Sequence, residues 1–278
     1  MNALPLHKKT LILSHLVEGL SIRSIERISG IHRDTIIRVM LSVGELASEI
    51  LDRELVNLEV KRLQVDEIWS YVGKKQKRVR KGDSSELGDA YTFVAIDPDT
   101  KLVPAFRTGK RTAEMAISFM KELNFRINTR FQLSTDAFKA YRDAVDDVFG
   151  EDVDYAQVHK KFSANVTKGE HRYSPGCIVG IHIKRVTGNP DRKHISTSLV
   201  ERQNLTMRMN MRRFTRLTNA FSKTLASLEA ALAIHFLYYN FMRIHQSLRV
   251  TPAMEAKVSN HIWSWEELLN YKQQSQAA

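Results

Sequence analysis

The chain has 278 residues, 43% of them apolar, enough to bury the core of one catalytic domain with a small accessory module. Lys and Arg total 42 against 31 Asp and Glu, giving a net charge of +11 and a pI near 9.7. That excess points to a polyanionic partner, nucleic acid first, with a generically basic soluble binder as the alternative. The lone Cys177 excludes an intrachain disulfide and a Cys-based zinc site, and it fits a reducing cytoplasm. No apolar leader follows Met1, and the most apolar stretch, residues 225–242, contains Glu229, His235 and Asn240, so it reads as a buried amphipathic helix and not a membrane span.

Three short helices are expected first, over residues 6–18, 22–29 and from 32–34 through Leu41. Gly19 and Gly30 suit left-handed helix ends, and Ser21 and Asp34 suit N-caps. Helix, tight turn and helix together resemble a helix-turn-helix over residues 1–50, although any small three-helix cap shares the pattern. The second helix of such a motif meets base edges with its first turns, which hold Arg33, Thr35 and Arg38. Residues 51–61 read as a linker helix.

The period then changes from helical to alternating. Residues 62–72 form a β-rich strand, followed by a basic loop (73–89), strands at 90–97 and 102–108 joined by a turn at Asp97-Pro98-Asp99-Thr100, and a helix at 112–124 capped by Thr112. A strand at 130–135 ends at Asp136, a helix spans 140–149, and another strand spans 153–159. Residues 160–196, with Gly169, Pro175, Gly176, Gly188 and Pro190, read as a basic loop-like insertion. Helices follow from Ser198 and over 222–244, then a polar tail at 272–278. This order predicts an α/β fold, an RNase H-like mixed sheet flanked by helices over 62–220, preceded by the all-α module and followed by C-terminal helices over 221–278.

Cutting or transferring a DNA phosphodiester needs two hard cations about 4 Å apart, held by few carboxylates. Asp66 sits in a largely apolar strand, where a charge is costly unless neutralised, although a solvent-facing Asp fits equally well. Asp136 ends a strand, where ligands gather in open α/β sheets, or else caps the next helix. Glu201 shares a helix face with Asn204, Leu205 and Arg208, which a solvated helix face also explains. Asp97 and Asp99 read as turn residues, and Glu67 is expected on the strand face opposite Asp66. Lys74, Lys75, Lys77, Arg78, Arg80 and Lys81 crowd one loop, and Arg208, Arg212, Arg213 and Arg216 follow Glu201, densities that suit phosphate contacts. Trp69, Tyr71 and Tyr173 suit either base stacking or packing. His159, His171, His182 and His194 lack regular metal-ligand spacing.

Three blocks resemble the DDE transposases of the insertion sequence 1 family: Val65-Asp66-Glu67-Ile68-Trp69-Ser70-Tyr71-Val72-Gly73-Lys74-Lys75, Thr135-Asp136-Ala137-Phe138-Lys139-Ala140-Tyr141, and Val200-Glu201-Arg202-Gln203-Asn204-Leu205-Thr206-Met207-Arg208 with Arg213–Thr218 and Phe221-Ser222-Lys223. They occur in the family's order and cover most of 62–245. The resemblance implies Asp66, Asp136 and Glu201 as catalytic ligands of two Mg²⁺ (or Mn²⁺) ions, and Arg208 as the basic residue that follows the Glu in many DDE enzymes. It further implies double-stranded DNA, transposon ends and target, as partner, and action as a homo-oligomer, at least a dimer on DNA, in the cytoplasm of a prokaryote. DNA contacts are expected from Arg33, Thr35, Arg38, Lys74, Lys75, Lys77, Arg78, Asn204, Arg208 and Arg212. Two departures stand out: no Cys-based zinc module precedes the helices, and 64 residues separate Asp136 from Glu201. The alternatives are an RNase H-like integrase or nuclease without transposition and a non-catalytic helix-turn-helix protein.

Overall fold

A computed structural model describes residues 4–163, 177–216 and 218–274. His171, Tyr173, Leu217 and the Gly169, Pro175 and Gly176 part of the expected insertion lie outside the described residues.

Six strands form one sheet: β1 (Arg62–Val72), β2 (Gly88–Ile96), β3 (Phe106–Gly109), β4 (Phe131–Asp136), β5 (Val153–Phe162) and β6 (Ile178–Thr187), in the order β3-β2-β1-β4-β5-β6. β1, β2 and β3 form an antiparallel meander, β4 runs parallel to β1, β5 parallel to β4, and β6 antiparallel to β5. The first five strands are the RNase H-like mixed sheet expected from the sequence. Helix α4 (Ala113–Arg126) carries the chain from the edge strand β3 across to β4, and α5 (Lys139–Phe149) connects the parallel neighbours β4 and β5. Thr112 caps α4 by accepting the N–H of Met115 at 3.3 Å.

Three differences from the sequence reading have local causes. The region read as a loop holds β6, and β5 extends to Phe162, because their backbones pair with each other across His159 and His182. β3 starts only at Phe106, because Val103 is bound instead by a side chain: Asn240 accepts its N–H at 3.0 Å and donates to its carbonyl at 2.9 Å. The long C-terminal helix, α7 (Leu225–Leu237), ends in a π-helical turn at Tyr238–Met242 that places this Asn240.

Helices α1 (Leu6–Val17), α2 (Ile22–Ser29) and α3 (Arg33–Glu54) precede the sheet. Ser21 caps α2 by accepting the Ser24 N–H at 3.1 Å, and Gly30 ends it at φ +68°. The cap of α3 is His32, whose ring nitrogen accepts the Asp34 N–H, so Asp34 lies in the first turn and is not the cap. α3 runs on through residue 50 to Glu54. Its C-terminal carbonyls at Leu51 and Leu55 accept the buried Arg126 guanidinium of α4, which also pairs with Asp52 and Glu122. The Leu55 carbonyl, at the helix end, gains in Arg126 a donor that the helix does not supply, while the Leu51 carbonyl also accepts the Leu55 N–H at 3.0 Å. α3 lies against α7 where Gly44 faces Ala230; a Cβ on Gly44 would stand 2.4 Å from the Ala230 Cβ. Leu13, Val17, Met40 and Val43 join the sheet's core, while Ile12, Ile25, Ile31 and Ile36 form a small core of their own beneath α2.

The remaining helices are α6 (Ser198–Asn210), α8 (Pro252–Glu255) and α9 (Trp265–Gln274). Among the described residues no helix is long and apolar enough to cross a membrane.

Candidate metal centre and nucleic-acid interface

β1 and β4 run parallel with Val65 level with Thr135, so Asp66 and Asp136 stand level on neighbouring strands. The rest of the site comes from α6, whose seat on the sheet is set by one side chain. Gln64 is 4% exposed, and its Oε1 accepts the N–H groups of Leu199 at 2.9 Å and Val200 at 3.2 Å. It thus serves from β1 the helix-start donors that Thr197 leaves open, since the Thr197 hydroxyl donates instead to Glu201 at 2.7 Å. With α6 pinned there, Asn204 Nδ2 donates to Asp66 Oδ2 at 2.9 Å. Glu201 also pairs with Lys160 of β5.

The Asp136 Oδ1 accepts the N–H of Phe138 at 2.9 Å. This is an Asx turn before α5, whose own N-cap is Phe138, so Asp136 does not cap the helix, and its other oxygen stays available. That oxygen lies 3.6 Å from the Arg111 guanidinium, which is 3.5 Å from Glu67 and stacks over the Phe138 ring at 4.0 Å.

Glu67 is the residue that sequence reasoning set aside. Strand alternation separates Asp66 from Glu67, but β4 pairs with β1 only as far as Val65, so no β4 backbone stands between Glu67 and the strand end at Asp136. Ligand oxygens of Asp66, Glu67 and Asp136 all lie within 4.8 Å of one another. Glu201 stands outside that cluster, although its charge acts on both Asp66 and Asp136.

Packing three carboxylates together has the expected electrostatic consequence. Burial, then Asp136, pushes Asp66 up to about 7, against the Asn204 hydrogen bond. Burial, then Asp136, pushes Glu67 up to about 7 as well, opposed by Arg111. Burial also raises Asp136, opposed by the Phe138 N–H and Arg111. Among the described residues, buried Glu67 Oε1 and Asn204 Oδ1 have no hydrogen-bond partner of normal geometry, although the Tyr141 hydroxyl acts on Glu67. Carboxylates that are costly to ionise together, beside unpartnered oxygens, are what a hard divalent cation would neutralise, so the donor set fits such an ion.

The expected DNA contacts fall in three places. Arg33, Thr35 and Arg38 occupy the first turns of α3, with Arg38 donating to the Thr35 hydroxyl at 3.2 Å. Lys75, Lys77 and Arg78 are exposed on the loop after β1, while Lys74 is tied to Asp83 at 2.5 Å. Arg208, whose charge acts on Asp66, and exposed Arg212 follow the site on and after α6, and Asn204 belongs to it directly. Trp69 is exposed, and Tyr71 is stacked on Phe221 at 4.6 Å.

No protein-family model matches the chain, and no curated protein matches it. Among solved structures, the piggyBac transposase in a synaptic complex with hairpin DNA is 11% identical, covers 96% of this chain and 69% of its own, with a TM-score of 0.44. The Mos1 transposase in a paired-end complex with the left transposon end is 12% identical, covers 53% of this chain and 58% of its own, with a TM-score of 0.21.

Proposed function

We propose that the chain is a DNA transposase of the DDE kind, resembling the insertion sequence 1 family, with Asp66, Asp136 and Glu201 as its catalytic carboxylates. The observation that carries the reading is the level placement of Asp66 and Asp136 on parallel β1 and β4, under an α6 that carries Glu201 and bonds Asp66 through Asn204. Asp66 and Asp136, with Glu201 turned from Lys160, would hold two Mg²⁺ or Mn²⁺ ions; when bound, these supply charge for the attacking and leaving oxygens of a phosphodiester.

The chain's own residues do the rest. Gln64 fixes α6 so that Asn204 and Arg208 face the cut phosphate. Arg208 offers a guanidinium to phosphate oxygens in the geometry that suits them. The helix-turn-helix of α2 and α3 reads the element's ends through Arg33, Thr35 and Arg38, and the loop at Lys74, Lys75, Lys77 and Arg78 tracks the backbone. Water attack frees a 3′-hydroxyl, which then attacks target DNA within an oligomer that pairs two ends. Purified protein given DNA from the borders of its own gene tests this: cleavage followed by strand joining is expected. Cleavage without joining would reduce the reading to a nuclease.

A further inference from the structure

A cleft of about 780 Å³ opens between the end of α1, the α1–α2 turn, α3, the segment after α6, and α7. Its walls carry Arg23, Arg33, Arg212, Arg213 and Lys223, and none of its lining residues is acidic. This is not the average character of a basic protein. A second cleft of equal volume, on the α4 side of α3 and α7, carries Glu45, Glu49, Asp52, Glu122 and Glu229 with only Arg107 and Arg126.

Two groups in the basic cleft are incompletely matched. Arg213 is largely withdrawn from solvent; it donates to the Ser222 hydroxyl at 2.9 Å and touches the Met40 sulfur, yet it pairs with no carboxylate among the described residues. Burial alone lowers its guanidinium to about 10. His235, in the cleft wall, is 2% exposed, and neither ring nitrogen has a hydrogen-bond partner among the described residues. A desolvated cation without a counter-charge is costly, and a phosphate oxygen offsets that cost through the forked guanidinium geometry.

We propose that this cleft grips a backbone phosphate of bound duplex DNA, with Arg213 as its central ligand and Arg23, Arg212 and Lys223 as its rim. The inference rests on the DNA-processing reading and adds a grip distinct from the cut phosphate. Ser222 bridges to Val72, and Gly73 donates to the Ser222 carbonyl at 2.8 Å, which ties the cleft to the far end of β1. Val72 lies six residues beyond Asp66 on β1, roughly 20 Å at the usual rise of a strand. β1 thereby joins the grip and the carboxylates.

The test is fluorescence anisotropy of the full chain with a labelled duplex of arbitrary sequence, in EDTA, across a range of KCl concentrations. Arg213→Gln is expected to weaken binding about tenfold and to reduce the slope of log K against log salt by about 0.9, the signature of one lost phosphate contact. Arg212→Gln and Lys223→Gln, at exposed positions, are each expected to reduce the slope similarly without moving the thermal midpoint. They decide the matter if Arg213→Gln does not fold. Arg130→Gln, whose arginine is paired with Asp154 at the other end of the sheet, is expected to bind as wild type. Rim variants with wild-type affinity and slope would overturn this inference alone, as would polyglutamate competing as well as DNA. Wild-type protein that binds no duplex would overturn it together with the transposase reading.

Discussion

Asp66→Asn is expected to stabilise the metal-free protein above neutral pH. Burial and Asp136 lift Asp66 from 3.8 to about 7, so carrying its charge at about pH 8 costs roughly 4 kcal/mol. Asp66 is half-buried and not sealed, so water screens part of this, and a gain of about 2 kcal/mol is expected. The folded value is raised, so the stability linked to this group is fully present below the unfolded value of 3.8 and is lost as pH rises through about 7. The advantage of the Asn variant should therefore be absent near pH 4 and complete near pH 8. Urea unfolding in EDTA at both pH values measures it. Adding Mg²⁺ near pH 8 should raise wild-type stability, since ligand binding to the native state alone stabilises it, and should do so much less for the variant. An Asn variant less stable than wild type near pH 8 in EDTA would refute the reasoning.

Gln64→Leu leaves the Leu199 and Val200 N–H groups without their acceptor, so urea unfolding should show a loss of about 2–4 kcal/mol, and DNA cleavage should fall as α6 shifts. Gly44→Ala drives a methyl group into Ala230 at 2.4 Å; separation of α3 from α7 should cost about 1–3 kcal/mol, read as a lower thermal midpoint. Arg126→Met removes the donor to the Leu51 and Leu55 carbonyls and leaves Glu122 with Arg107 alone, and a loss of about 1–3 kcal/mol is expected in the same assay.

Much of the fold was legible because its burial is one-sided or continuous. β1, β4 and β5 announce themselves by β-branched and aromatic content, and α4 by its Thr112 cap. β6 was not legible: Ile178, Val179 and Ile181 are all exposed, so no face alternates between apolar and polar, and the flanking Gly and Pro dominate the pattern. Its run of Ile and Val was the available signal. At the site, Asp66 and Asp136 could be singled out from their place on strands. Glu67 could not, because alternation sends it away from Asp66, and only the point where β4 ends lets it return to Asp136. Arg111 lies outside every strand and helix, and its contact with both carboxylates depends on tertiary placement alone. Asn240 similarly needed the π-helical turn to reach Val103.

The most direct test of the central claim is DNA cleavage and joining by purified protein, with Mg²⁺, on duplexes from the borders of its own gene. Wild type should generate 3′-hydroxyl ends and joined products, while Asp66→Asn, Asp136→Asn and Glu201→Gln should each still bind the duplex and produce neither. Full strand transfer by any of the three would contradict the account.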